Sequence, residues 1–330
     1  MSHFPIIDIH AHFTPPEWID ELRRNGPSYG CSIRQDESGR LWLRLKEGKP
    51  KELTPELADL DARVPKLADL GVHRQVLSPV MTTVGYELEA SHGQALSRLY
   101  NETNAASVKK YGGKFIPVGN IPMQSSAAAV DELDYAVKKL GIRMFEIGTN
   151  VNGLNLDEES FRPFFARAAD LGVLVQVHPH TIAGGDRLRR YNLANLIGNP
   201  VDTAIAAASL IFGGVLDRYP TLRVCLVHGG GAFPYLMGRW SHGYAAFPEC
   251  HTSNGPAADY ARRFYFDTLT HDARMLKFLH NLVGADRLML GTDTPYPAGD
   301  KEPLAKLRHA GLESEPAILG ENAARLLGLD

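Results

Sequence analysis

The sequence predicts an α/β protein of the (β/α)8 or TIM-barrel class, and three observations carry that prediction. Apolar runs of strand length alternate with stretches of helical periodicity along almost the whole chain; eight strand candidates can be counted; and several of them end on a histidine or an aspartate. Alternation of this kind argues for parallel strands joined by right-handed crossovers, and eight such units close a barrel. A doubly wound open sheet is the second architecture compatible with the pattern. No short-period repeat and no linker rich in Gly, Ser and Pro divides the chain, so residues 1–330 read as one domain.

The first strand candidate is Ile6-Ile7-Asp8-Ile9-His10-Ala11-His12, followed by the turn-forming Thr14-Pro15-Pro16. Its period-two alternation directs Asp8, His10 and His12 to one side, placing two imidazoles one pleat apart. Residues 13–53 then depart from the barrel pattern. Gly26-Pro27, Gly30, Gly39 and Gly48-Lys49-Pro50 flank an alternating Leu41-Trp42-Leu43-Arg44-Leu45, which predicts a loop insertion holding a small hairpin over the mouth of the fold. A helix is expected from Thr54 as N-cap, with Pro55 at its first position, to Leu70 before Gly71.

Further strands are expected at 74–80, 115–119, 142–147, 173–178, 223–228, 264–267 and 287–293, with helices near 88–111, 125–140, 161–171, 200–217, after Gly229-Gly230-Gly231, and near 272–282. Two runs, Val173-Leu174-Val175-Gln176-Val177-His178 and Arg223-Val224-Cys225-Leu226-Val227-His228, are almost continuously apolar, as a strand covered on both faces requires, and each ends on a histidine.

Composition limits the partners. With 44% hydrophobic and 22% charged residues and a net charge of -3, the chain reads as a soluble globular protein that binds neither nucleic acid nor a membrane surface. Cys31, Cys225 and Cys250 are widely spaced and lack C-x-x-C pairing, which fits a reducing cytoplasm rather than a disulfide framework or a thiolate metal site. No basic leader followed by an apolar run and no membrane-span-length window is seen.

Barrel active sites lie at the carboxyl ends of the strands. Those ends carry His10 and His12 after strand one, His178 after five, His228 after six and Asp293 after eight. Ring closure puts strands one and eight side by side, so Asp293 is expected next to the His-x-His pair. Three neutral imidazoles and one carboxylate suit Zn²⁺, with Co²⁺, Mn²⁺ and Fe²⁺ also compatible. Asp267 competes for the carboxylate position and is assigned an orienting or structural part; Asp8 and Glu146 are expected to orient neighbours; His180 is a candidate pocket residue. His3, His73, His92, His242, His251, His271, His280 and His309 are assigned to the surface or to packing.

Four segments, Ile7-Asp8-Ile9-His10-Ala11-His12-Phe13, Val177-His178-Pro179-His180, Val227-His228-Gly229-Gly230-Gly231 and Leu290-Gly291-Thr292-Asp293-Thr294-Pro295, together resemble the amidohydrolase superfamily, and within it the aminocarboxymuconate-semialdehyde decarboxylase group. The resemblance implies Zn²⁺ held by His10, His12, His178 and Asp293 and activating a water, with His228 moving a proton. It also implies a homodimer in which Arg239 reaches a carboxylate of a small carboxylic acid substrate across the interface. The activity implied is non-oxidative decarboxylation of an aromatic or muconate-type acid, a carbon–carbon lyase reaction. A hydrolase or hydratase acting on a lactone, an amide or a ring-cleavage product would use the same scaffold. One departure stands out: where the decarboxylase carries a second carboxylate-binding arginine after strand one, the nearest cations here are Lys49 and Lys51, point charges without the bidentate fork.

Overall fold

The computed structural model describes residues 5–46 and 48–329, so His3 lies outside the described residues. The elements in chain order are β1 (Ile7–Asp8), α1 (Pro16–Asn25), β2 (Cys31–Gln35), β3 (Leu41–Leu45), β4 (Lys51–Leu53), α2 (Leu60–Leu70), β5 (Arg74–Leu77), α3 (Ala90–Ser107), β6 (Phe115–Pro117), β7 (Gly119–Asn120), α4 (Ser126–Leu140) and β8 (Met144–Gly148). There follow β9 (Asn150–Val151), β10 (Leu154–Asn155), α5 (Arg162–Leu171), β11 (Leu174–His178), α6 (Asn199–Phe212), α7 (Val215–Arg218), β12 (Arg223–Leu226), α8 (Phe233–Ala246), β13 (Phe264–Asp267), α9 (Ala273–Val283), β14 (Leu288–Met289), α10 (Pro303–His309) and α11 (Asn322–Leu327).

The architecture is α/β with parallel strands. One sheet runs β1-β5-β6 and a second runs β14-β13-β12-β11-β8-β7, both in sequential order without the reversal of a doubly wound sheet. Residues 115–120 serve both sheets: β6 pairs with β5, the chain breaks ladder at Val118, and β7 pairs with β8. At the other edge the backbone of the first strand meets the last, with Ile9 N donating to Leu290 O (2.9 Å) and His12 N to Thr294 O (2.9 Å). Ile7, Ile9, Val76, Val118, Met144, Leu174, Cys225, Tyr265 and Met289 fill one interior cluster, against which Ala323, Ala324, Leu326 and Leu327 of α11 pack. Above them, Gln176 ties three strands by donating to Ile9 O (3.0 Å) and accepting from Ser78 Oγ (3.2 Å). Helices shield the opposite faces, where Phe164, Phe165, Leu210, Phe233 and Leu276 are fully buried.

Several local expectations need correction. The first strand does not keep one alternation. Ile7 and Ile9 face the interior, while Asp8 turns to the outer side with Gln75 and accepts the amide of His10 (3.0 Å). This Asx-type turn shifts the phase by one residue, so that His10 and His12 point inward and Asp8 does not join them. Within 13–53, a ten-residue helix precedes the sheet, starting at Pro16 and burying Trp18, Ile19 and Leu22. Pro at a first helical position is compatible with a helix, since the missing N–H would be unpaired there anyway. The small hairpin is a three-stranded antiparallel sheet, β2-β3-β4. Its Leu43, Leu45 and Leu53 pack with α1 onto Leu96 and Tyr100 of α3. α2 begins later than Thr54: Asp59 caps it by accepting from Ala62 N (2.8 Å), after a short 3₁₀ turn at Pro55–Leu57. The expected 200–217 helix breaks at Gly213-Gly214 into α6 and α7.

Gly291 is packed between Asp267 and His10. A Cβ there would stand 2.7 Å from Asp267 Cβ and 3.1 Å from His10 Cβ, both immobile in the core. Gly291→Ala is therefore expected to destabilise the fold by about 1–3 kcal/mol in urea unfolding, the usual range for overpacking; an unchanged midpoint would contradict this packing.

Candidate metal centre

Four side chains from three chain segments converge where the strands end. One ligand atom from each of His10, His12, His178 and Asp293 lies within 4.8 Å of the others, a spacing one ion can bridge. Asp293 Oδ1 is 3.4 Å from His10 Nε2 and 3.1 Å from His12 Nε2, and the rings of His10, His12 and His178 stand 5.0–5.3 Å apart.

The backbone explains the convergence. His10 O accepts from both Thr292 N (3.3 Å) and Asp293 N (2.7 Å), two residues against one, a bulge that pins the Asp293 backbone against the first strand. Asp293 adopts φ 58°, a left-handed conformation that a non-glycine residue holds only where the surroundings enforce it. Asp8 supplies part of that enforcement from the outer side, accepting from Thr292 N (3.1 Å) and Thr292 Oγ1 (2.6 Å).

Each imidazole is oriented through its other nitrogen. His10 Nδ1 bonds Asp267 Oδ2 (2.7 Å), His12 Nδ1 bonds Pro79 O (2.8 Å), and His178 Nδ1 bonds Pro179 O (2.8 Å). With Nδ1 as donor in each, the three Nε2 atoms direct lone pairs toward a common point once His10 has given up its second proton. Those three Nε2 atoms and Asp293 Oδ1 are buried and have no hydrogen-bond partner. Four orphaned donor atoms facing one another fit a divalent cation, since unpaired polar atoms are costly to bury.

The electrostatics agree. Burial would lower the His10 imidazole, but the Asp293 charge and the Asp267 hydrogen bond override it and hold its pKa up to about 9. The pocket thus favours positive charge. Burial would likewise raise the Asp293 carboxyl, and His10, His12 and His228 keep it well below the usual range. His178, buried and ringed by His12, His228 and His10, is held well below 6.5 and stays neutral.

Asp267 stands outside the cluster of four. Besides His10 it accepts from His228 N (2.9 Å), Gly229 N (2.7 Å) and Leu269 N (3.1 Å), fixing the start of the glycine turn. His228 itself has φ 56°, and Gly229, Gly230 and Gly231 are all left-handed, a path that three glycines permit. Its Nε2 is 3.7 Å from Asp293 Oδ2, its Nδ1 is buried without a partner, and its ring lies 5.2 Å from those of His10 and His178.

Glu146 departs from expectation. Its Oε1 is 4.0 Å from His12 Nδ1, too far to orient it, and neither carboxylate oxygen has a partner; burial lifts its pKa to about 7. Pro79 O does the orienting, which no side-chain pattern announces. His180 packs edge-on against Tyr86 (5.4 Å), beside Lys51, with burial lowering its pKa to about 4. Arg239 is exposed on α8 and does not line the cavity beside the cluster. That cavity, of about 860 Å³, is bounded by His228 and Asp293 at one end and by Pro200, Pro234, Met275 and Phe278 among its apolar walls. It also includes His271, which the sequence pattern assigned to surface or packing.

A family model described as amidohydrolase matches residues 7–329. The 2-amino-3-carboxymuconate-6-semialdehyde decarboxylase of Dictyostelium discoideum is 35% identical over 329 residues, covering 98% of this chain and 92% of that protein. Among solved structures, Metarhizium anisopliae IDCase in apo form superposes with a TM-score of 0.84 at 23% identity, covering 98% of this chain and 97% of the other. The 5-carboxyvanillate decarboxylase of Novosphingobium aromaticivorans, complexed with manganese and 4-hydroxy-3-methoxy-5-nitrobenzoic acid, gives 0.78 at 21% identity, covering 99% and 97%.

Two predictions follow from this geometry. Elemental analysis is expected to find about one divalent ion per chain and its near-complete loss in His178→Ala, whereas Asp267→Asn lowers affinity about 10–100-fold, recoverable at excess metal. Because His10 without an ion keeps its proton up to about pH 9, an entering ion must displace it below that pH. Calorimetry in buffers of differing ionisation enthalpy should detect about one proton released at pH 7, with affinity rising about tenfold per pH unit until His10 is already neutral; no release would contradict the protonated His10.

Proposed function

The chain belongs to the amidohydrolase family, and from that membership we propose that it is a divalent-metal-dependent, non-oxidative decarboxylase, a carboxy-lyase acting on a small aromatic or muconate-type carboxylic acid. The observation that carries the reading is the group of four orphaned donor atoms at the end of a largely apolar cavity, with His228 beside them. In this reading His10, His12, His178 and Asp293 are the metal ligands. The scaffold is one domain over 1–330 with 13–53 as an insertion, and its two sheets act as a single closed (β/α)8 barrel. The hydrogen bonds from Ile9 to Leu290 and from His12 to Thr294 support closure.

A Zn²⁺, Mn²⁺, Co²⁺ or Fe²⁺ ion held by His10, His12, His178 and Asp293 would supply Lewis acidity there. The chain's own residues do the rest. In this reading His228 moves a proton, a role supported by Asp293 close to its Nε2 and by Asp267 holding its backbone. That proton passes from His228 to the carbon that bears the carboxylate, forming a C–H bond; the bond to the carboxylate then breaks, carbon dioxide leaves, and the bonding pair returns to the substrate's π system.

The reading extends to a homodimer, with Arg239 reaching the neighbouring copy's cavity. Support comes from α8, where Arg239 is exposed and Tyr235 is 86% exposed, and from Leu196, Met275 and Phe278, apolar and exposed nearby. His180 is assigned to the substrate's rim. No described helix is long and apolar enough to cross a membrane. The three free cysteines support a reducing cytoplasmic compartment.

The test is a product assay with carboxyl-labelled aromatic and muconate-type acids. Labelled carbon dioxide is expected; water addition to the same or related compounds without it would move the assignment to a hydrolase or hydratase. His228→Ala should keep its metal and lose about 10²–10⁴-fold in turnover; loss of metal would make His228 a ligand instead.

A further inference from the structure

His271 lies on the loop after β13, four residues past Asp267, and faces the same cavity as His228 and Asp293. It holds φ 58°. The turn around it is made by other residues: Thr270 N donates to Thr268 O (2.8 Å), Thr270 Oγ1 to Asp272 O (3.0 Å), and Asp272 caps α9 by accepting from Arg274 N (2.7 Å). None of these bonds uses the imidazole. Non-glycine residues persist in the left-handed region where tertiary context fixes them, often at ligand-binding positions.

Asn195, Asn199 and Thr270 line the cavity along with apolar Pro200, Pro234 and Leu279. At the inner end, His228 and Asp293 have side chains only 15% and 10% exposed. His271 is exposed and stands at the outer rim together with Met275 and Phe278, which are exposed as well, while Leu279 of the same lining is buried. A carboxylic acid entering with its reacting group toward the metal ligands therefore presents its far end to His271. Burial, then Lys306 and His228, hold this imidazole below its ordinary value, while Asp300, itself paired with Lys306, and Asp267 pull the other way. At pH 7 it is neutral, offering one N–H donor and one lone pair, which matches a hydroxyl better than a second carboxylate.

We propose that His271 is a specificity-determining residue whose imidazole receives a hydroxyl group carried by the substrate at the end remote from the reacting carboxylate. This deepens the decarboxylase reading and rests on it for the substrate's orientation.

The test is calorimetric binding of 4-hydroxybenzoate and of benzoate to the metal-loaded protein, with His271→Gly and His271→Asn, two residues that accept a left-handed backbone. Wild type should prefer the hydroxylated acid by about two- to tenfold, the yield of one neutral hydrogen bond. In His271→Gly the preference should vanish, with benzoate affinity, metal content and Tm unchanged; His271→Asn, whose amide is too short to span the same gap, should behave alike if the glycine variant is unstable. In turnover with a hydroxylated substrate the loss should fall on KM rather than kcat. Equal affinities in wild type, or a preference surviving in both variants, would overturn the proposal. Because binding is read directly, a protein that releases no carbon dioxide would refute the decarboxylase reading while leaving this comparison decisive.

Discussion

The His10 carbonyl, accepting two successive amides from Thr292 and Asp293, is the interaction on which the site depends. Met289 and Gly291 face the interior and Thr292 faces Asp8 on the outer side, so alternation returns Asp293 inward; the shared carbonyl and Asp8, bonded to both sides of the seam, hold the two chain segments in that register. Residues more than 280 positions apart in sequence are thereby brought within hydrogen-bond distance. Gly291, with no room for a side chain, lets the backbones approach closely enough for it to happen.

Around this seam the protein spends stability on charge. Asp8, Glu146, Asp267 and Asp293 are all buried, as are His10, His12 and His178, and only some of them are paired. Such an arrangement is expensive unless something neutralises it. Asp267 is the best satisfied, with three backbone amides and His10, and stays ionised. Glu146 has no partner and is pushed toward the neutral form, with a pKa of about 7. The remaining demand for positive charge, visible in the raised His10, is what a divalent ion would meet.

Much of this was legible in the sequence because parallel strands buried on both faces read as unbroken apolar runs, and their last residues are conspicuous when they are histidines. His178 and His228 declared themselves in that way. The first strand's alternation misled for a local reason: Asp8 can bond the amide two residues on, which shifts the phase without altering composition. α1 was hidden because it shows only three buried apolar residues and opens with two prolines. The orienting carbonyls of Pro79 and Pro179 belong to the backbone, which sequence patterns do not display. His271 was passed over since its loop carries no periodicity; its signal is a backbone angle, available only from coordinates.

The central claim is that one ion is bound jointly by the ends of the first, fifth and eighth strands. Anomalous diffraction recorded above and below the absorption edge of the bound metal tests it most directly. A single strong peak is expected within coordination distance of His10, His12, His178 and Asp293 together. A peak elsewhere, or those four side chains well ordered around no peak in protein purified with stoichiometric metal, would contradict the account.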